Sequence, residues 1–249
     1  LESITERQDI CMNMTELTND EIIDIVSDVE HNFIGLMGGI MDQFTIVNGK
    51  KNKLILLNCQ NRNFKYINFD FNNYKFLLIN TNIEHNLADS AYNERVKECS
   101  EALSVINKKY NKYNSLIEVE ENILNEFKSI LKEKIYNRAL FVIQENQRTH
   151  DSANKISNSK LKEFGELMYK SHYGLKNLYE VSCKELDFLV EFTSNHEEII
   201  GSRMMGGGFG GCTINLIKEN YVDNFVDLVS QAYLDKFHIK TIDIELSRL

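Results

Sequence analysis

The chain of 249 residues contains no proline. No Pro-rich linker therefore divides it, and the wealth of Asn, Lys and Ile alongside reads as compositional bias, without functional meaning. No apolar run approaches the ~20 residues that a membrane span needs. The N-terminus, Leu1-Glu-Ser-Ile-Thr-Glu6, has neither a basic start nor an apolar core, so it carries no visible signal peptide. Cysteine is sparse: Cys11, Cys59, Cys99, Cys183 and Cys212 are scattered, odd in number and without metal-like spacing. They read as reduced cytosolic thiols. His31, His85, His150, His172, His196 and His238 form no cluster, so no metal site is expected in the chain. Positive charge is also in deficit. The net charge of -9 excludes nucleic acid as the main partner, because phosphate binding needs a basic surface. What remains is a cytoplasmic globular protein, 43% hydrophobic and 26% charged, long enough for one large domain or two lobes.

Glycine is concentrated. Six of the 12 glycines fall between Gly201 and Gly211, in Gly201-Ser-Arg-Met-Met-Gly-Gly-Gly-Phe-Gly-Gly-Cys-Thr213. Glycine costs conformational entropy, so a folded chain gathers it where backbone must bend oddly or approach something closely. A flexible turn would carry Ser, Asn and Lys, not Met204, Met205 and Phe209. Gly206, Gly208 and Gly211 satisfy G-x-G-x-x-G, but that dinucleotide motif follows a strand and opens a helix. Here Cys212-Thr-Ile-Asn-Leu-Ile217 reads as a strand, so the context is reversed. The reading left is a loop packed beside a phosphate site or a second backbone.

Along the rest of the chain, a helix is expected over Leu1–Met14. Thr18-Asn-Asp-Glu21 fits a capping box that opens a second helix, with Ile22, Val26, Val29 and Phe33 on one face and a stop near Gly35. Three strands are expected at 53–58, 64–69 and 75–80, as an antiparallel meander with the first and third central. Between them and the helix, Asp42 is a lone acid just past Gly38-Gly39. It could be a helix N-terminal Asp satisfying free backbone donors or a functional carboxylate, and the residues alone leave both open. Tyr92, Val96, Cys99, Leu103 and Ile106 form the apolar stripe of the next helix, which makes Tyr92 a core aromatic by periodicity. Arg95 and Glu98 read as helix-surface charges, and His172 as a satisfied helix histidine. Helix continues, with weak breaks, from Ile117 to Gln147. An amphipathic helix at 220–237 and a strand at 240–246 close the chain.

Residues Gly201 to Thr213 resemble the C-terminal glycine motif of the galactokinases, members of the GHMP small-molecule kinase superfamily. Glu30-His-Asn-Phe-Ile-Gly35 through Gly39-Ile-Met-Asp-Gln-Phe44 is similar to the segment that carries the family's catalytic aspartate, and Asn80 to Cys99 to the one whose tyrosine contacts the sugar. Arg138 to Arg148 resembles a helix read as structural, and Glu163–Met168, Ser171-His172 and Tyr179–Asp187 resemble the C-terminal helices. The resemblance implies an α+β fold: an antiparallel sheet packed by helices, with a ferredoxin-like C-terminal lobe, residues 1–80 completing one lobe and 81–249 forming the other. It implies a monomer that phosphorylates galactose at its anomeric hydroxyl with ATP and Mg²⁺. Asp42 is then the catalytic acid–base residue and sugar anchor. Gly39 and Tyr92 contact the sugar, and Gly206, Gly207, Gly208, Gly210 and Gly211 support the phosphate loop. The family's N-terminal sugar motif and its glycine-serine phosphate loop do not occur in these residues. Together with the first residue, Leu1, this gives the expectation of the C-terminal portion of a galactokinase, inactive by itself. N-acetylgalactosamine kinases and non-catalytic galactose sensors share these motifs and stand as alternatives.

Overall fold

A computed structural model describes residues 17–35, 38–68, 71, 73–83 and 88–245; the helix expected over Leu1–Met14 lies outside them. The chain divides into two compact units, Leu1–Tyr66 and Ile67–Leu249.

In the first unit, helix α1 (Asn19–Asp28) opens on the expected capping box. Thr18 Oγ1 accepts from Glu21 N at 3.3 Å, and Glu21 Oε2 accepts from Thr18 N at 2.7 Å. Each atom satisfies an otherwise orphaned donor of the first turn. A π turn, Val29–Ile34, extends α1 to Gly35, whose φ of 82° ends it. The apolar stripe on this helix is not a core face. Ile23 is the residue buried in α1, whereas Val26 and Val29 are exposed and Phe33 is 87% exposed. Periodicity establishes that residues share a face, not that anything covers it. Helix α2 (Met41–Asn48) packs on strand β2 (Phe64–Asn68), which pairs with β1 (Lys53–Leu57). Phe44 and Phe64 meet edge to face at 5.0 Å, and Tyr66 donates to Asn48 O at 2.7 Å.

The expected three-strand meander does not form. Strand β3 (Tyr74–Asn80) belongs to a four-stranded sheet, between β5 (Cys212–Lys218) and β6 (Ile242–Glu245), with β4 (Ile199–Met204) beyond β5. Of the two strands expected to be central, β3 is and β1 is not. Continuous apolarity signals burial on both faces but not the identity of the neighbours. All three pairings are antiparallel. Between β3 and β4 run helices α3 (Ala88–Tyr110), α4 (Glu121–Asn125), α5 (Glu133–Ser157), α6 (Leu161–Gly174) and α7 (Lys184–Thr193). Helix α8 (Val222–Phe237) joins β5 to β6. The first and third strands of this sheet lie at its centre and the second and fourth at its edges, which is the ferredoxin-like arrangement. The lobe boundary expected at residue 80 thus falls at the end of β3, while the compact units meet at Tyr66 and Ile67.

One face of the sheet buries Leu77, Ile79 and Ile217 against Phe225, Val229 and Tyr233 of α8 and Leu189 of α7; each such side chain stabilises the fold by about 1.5–3 kcal/mol. A second core joins α3 to α5 through Ala102, Ile106, Ile135 and Ala139. Helix α6 lies on β4 backbone to backbone. A Cβ on Gly165 would stand 1.7 Å from Ile200 O, and one on Gly201 would stand 2.6 Å from Gly165 Cα. Within the sheet, Asn215 links three strands. Its Oδ1 accepts from Ser202 Oγ at 2.6 Å, and its Nδ2 donates to Leu77 O at 3.0 Å and to Thr213 Oγ1 at 3.1 Å.

His172 is fully buried on α6, and its Nδ1 accepts from Met204 N at 3.3 Å. The proton therefore sits on Nε2, which lies 3.3 Å from Asp187 Oδ1 but not in hydrogen-bonding alignment. The histidine is only half satisfied. Burial lowers its pKa from 6.5 to about 4, with Lys176 and Arg203 adding to the shift and Asp187 opposing it.

Two outcomes are expected. Gly165→Ala forces α6 off β4 and should cost about 3 kcal/mol or more in a denaturant titration. Because the folded pKa of His172 lies below the unfolded one, the unfolded chain takes up the extra proton. Stability should fall by about 1.4 kcal/mol per pH unit as pH drops from 6.5 towards 4. His172→Gln should flatten that slope in the same titration run across pH.

Candidate functional site

The residues singled out in sequence occupy both units. In the first unit, Asp42 stands exposed in the first turn of α2. The turn is built locally: Phe44 N donates to Ile40 O at 2.9 Å and Thr45 Oγ1 to Met41 O at 2.7 Å. The segment entering it is tied to the π turn, where His31 Nε2 bonds Gly38 O at 2.8 Å. A Cβ on Gly39 would meet nothing within 4 Å, so the protein's own atoms leave that backbone approachable. Phe44 and Gln43 are buried, which turns the helix so that Asp42 faces outward. The Asp42 carboxylate is thus accessible from solvent. Gln43 is a residue that sequence reasoning passed over. It is 6% exposed and its Oε1 has no hydrogen-bond partner among the described residues, a cost that a fold tolerates rarely.

In the second unit, the glycine loop connects β4 to β5, and its glycines are not interchangeable. Gly206, Gly208, Gly210 and Gly211 have φ of 73°, 86°, 147° and 77°, conformations that a side chain resists. Gly208 also makes a close approach: a Cβ there would lie 2.0 Å from Val181 O. A Cβ on Gly210 would lie 2.8 Å from Ile83 O, whereas Gly206 and Gly207 face open space. Between Gly208 and Gly210, Phe209 adopts a left-handed φ of 61° and donates its amide to Val181 O at 2.7 Å. Its ring packs against the core cluster of Phe141, Leu175, Val181, Leu186 and Met204. Met205 N donates to Cys212 O at 3.0 Å, and Gly211 O accepts from both Thr81 N and Thr81 Oγ1 at 2.9 Å. The close-approach reading of this loop is thus correct in its second form: the neighbour is another backbone.

Tyr92 lies on α3, half-buried, near Tyr179. Burial pushes the Tyr179 hydroxyl well above its ordinary pKa, with smaller contributions from Cys99 and Tyr92. One turn along α3, Arg95 and Glu98 are not surface charges; each is 6% exposed. They form an ion pair at 2.6 Å that also takes in the fully buried Arg138, whose Nε donates to Glu98 Oε2 at 3.2 Å. Lys134 completes the cluster at 2.6 Å from Glu98 Oε1. Burial works against ionisation of Glu98, but Lys134, Arg95 and Arg138 outweigh it and hold the carboxyl below its usual range. The buried side of α3 runs through Arg95, Glu98, Ala102 and Ile106. Of the expected stripe of Tyr92, Val96, Cys99, Leu103 and Ile106, Ile106 is buried and the other four are half-buried. Residue type concealed the true face. The legible signal was an opposite-charge i,i+3 pair in register with Ala102 and Ile106, opposite an arginine flanked by Ala139 and Leu140.

Among the described residues no group of His, Cys, Asp or Glu is placed to hold a metal ion. The glycine loop runs into β5 rather than a helix, and its Met205 and Phe209 amides are committed to protein carbonyls. These residues do not fit a nucleotide–metal site.

The loop geometry separates its glycines. Gly208→Ala should destabilise the protein by about 2 kcal/mol or more, through both clash and left-handed strain. Gly207→Ala, in open space and without a positive φ, should stay within about 0.5 kcal/mol of the parent in the same melt.

Residues 153–234 match the family described as GHMP kinases C terminal. The galactokinase of Clostridium acetobutylicum is 43% identical over 217 residues, 87% of this chain and 56% of its own length. That of Clostridium tetani is 42% identical over 222 residues, again 56% of its own length. Among solved structures, the Lactococcus lactis galactokinase complexed with galactose matches with a TM-score of 0.88 and 32% identity, over 92% of this chain and 59% of that one. The L. major mevalonate kinase, 17% identical with a TM-score of 0.52 over 94% of this chain and 60% of its own, shares the fold. The chain thus spans a little over half the length of the curated relatives it matches. It has the α+β fold of the GHMP kinases and is similar to galactokinases along nearly all of its length.

Proposed function

We propose that this chain works as part of a galactokinase, which transfers the terminal phosphoryl group of ATP to the anomeric hydroxyl of galactose. The observation that carries the reading is the likeness to the galactose-complexed Lactococcus lactis enzyme over 92% of the chain, joined to the accessible carboxylate of Asp42. Phosphoryl transfer passes through a loose transition state, so it depends on positioning and charge neutralisation more than on covalent chemistry. Asp42 orients the sugar hydroxyl and takes its proton, Gly39 lets the sugar come close to the backbone, and Tyr92 bonds the sugar rim. Gly206, Gly207, Gly208, Gly210 and Gly211 support the phosphate loop from behind, with Gly208 seated on Val181 and Gly210 on Ile83. ATP and Mg²⁺ are the co-reactants of this reading, and a cytoplasmic monomer divided into two lobes is its setting. Within the described residues no helix is long and apolar enough to cross a membrane.

The test measures ATP- and sugar-dependent ADP release. It uses the chain by itself and the chain fused to the part of the Clostridium acetobutylicum galactokinase that the match leaves uncovered. Galactose should be turned over by the fusion. Preference for N-acetylgalactosamine would move the reading to that kinase, and galactose binding without turnover would move it to a sensor. In the active fusion, Asp42→Asn should lower kcat by about 10²-fold or more, with little change in sugar affinity. Tyr92→Phe should weaken galactose binding by about 0.5–1.5 kcal/mol. Full turnover in the Asp42→Asn protein would remove Asp42 from the mechanism, and an unchanged KM in Tyr92→Phe would return Tyr92 to the core.

A further inference from the structure

The buried charges on α3 and α5 do more than join two helices. Glu98 Oε2 receives Arg95 Nη1 at 2.6 Å and Arg138 Nε at 3.2 Å, which fixes both guanidinium planes. Their remaining donors all point to one short stretch. Arg95 Nε donates to Tyr179 O at 2.7 Å and Arg95 Nη2 to Glu180 O at 3.4 Å. Arg138 Nη1 donates to Leu178 O, and Arg138 Nη2 to Glu180 Oε2 at 2.6 Å. Carbonyls 178 to 180 end the π turn Leu175–Tyr179, and carbonyls at a helix end have no helical amide left to bond them. The two arginines supply the missing donors.

What they hold is a strained bend. Glu180 has a left-handed φ of 54°, a conformation that persists only where the surroundings impose it. The next carbonyl, Val181 O, is the one that accepts the Phe209 amide at 2.7 Å and that Gly208 touches. Guanidinium groups, carbonyls 178 to 180, Val181 O and the top of the glycine loop thus form one unbroken series of contacts. Tyr92 lies on the same helix as Arg95, one turn away.

We propose that Arg95, Glu98 and Arg138 are positioning residues that set the conformation of the glycine loop through the bend at Leu178–Val181 and hold it in register with Tyr92. A cluster that only bonded α3 to α5 would need no donors on that bend. The catalytic consequence rests on the galactokinase reading; the effect on the loop does not.

The experiment uses Glu98→Gln, which keeps the shape and removes the carboxylate charge, and Glu180→Gln, at a side chain 57% exposed, which weakens only the Arg138 arm. Amide hydrogen exchange is followed by NMR at Phe209 and along the β3–β5 ladder. The Phe209 amide should exchange about tenfold faster or more in both variants, with the ladder amides within about twofold of the parent. Phe209 exchange unchanged in a folded variant, or acceleration shared equally by the ladder, overturns the proposal. If Glu98→Gln does not fold, Glu180→Gln decides alone. In the fusion protein, Glu180→Gln should also lower kcat several-fold. A fusion without sugar kinase activity would sink the functional reading and leave the exchange result to stand.

Discussion

Where Gly208 meets the carbonyl of Val181, two stretches of backbone come closer than any side chain allows. That contact fixes what the loop can be. The residue between the glycines must accept left-handed geometry, and Phe209 does so with its amide bonded at 2.7 Å and its ring against the core cluster that contains Met204. The same device recurs where α6 lies on β4 through Gly165 and Gly201. The second unit is thus built around two places where backbone substitutes for side-chain packing. Gaps of this kind tolerate no extra atom, because interiors are packed as densely as crystals.

Electrostatics supplies the complementary constraint. One carboxylate shared by three cations would be a poor bargain as simple stabilisation, since removing charges from water is costly and a well-packed apolar group of similar volume does as well. Its use lies in direction. A guanidinium presents its donors in a fixed fork, so once Glu98 orients Arg95 and Arg138 their other donors can meet only certain carbonyls. The cluster specifies an angle, and an apolar core cannot do that.

The sequence made element identities legible where local chemistry decides them. The capping box at Thr18 and Glu21, the stop at Gly35, helix α8 and strand β6 all follow from short-range rules. The glycine loop was legible as a close approach, and the resemblance in Gly201–Thr213 led to the fold. Partnership was not legible. Strand β3 shows the same apolar run whether it pairs with β2 or with β5, which lies more than 130 residues on. The face of α3 was misread for a related reason: charge predicts exposure only when no counter-charge waits inside, and Arg138 arrives from another helix. The stripe on α1 failed in the opposite sense, because a pattern can mark a face without naming its cover.

Asn215 has a temporal side. Its amide bonds Leu77 across a separation of 138 residues, so the centre of the sheet joins the beginning of the second unit to nearly its end. While a ribosome makes the chain, β3 emerges early and stays without its principal neighbour until β5 has followed. Long-range pairings of this kind are slow to form, since the entropy of closing the loop must be met before any contact rewards it. The helices in between rely on local bonds and can form first, which shortens the effective search. When β5 does arrive, only one alignment lets Asn215 reach Leu77 O on β3 and Ser202 on β4 together. A slip by one residue would turn the amide to the opposite face. The late pairing therefore proofreads itself: a wrong register costs the amide both of its cross-strand bonds and comes apart again.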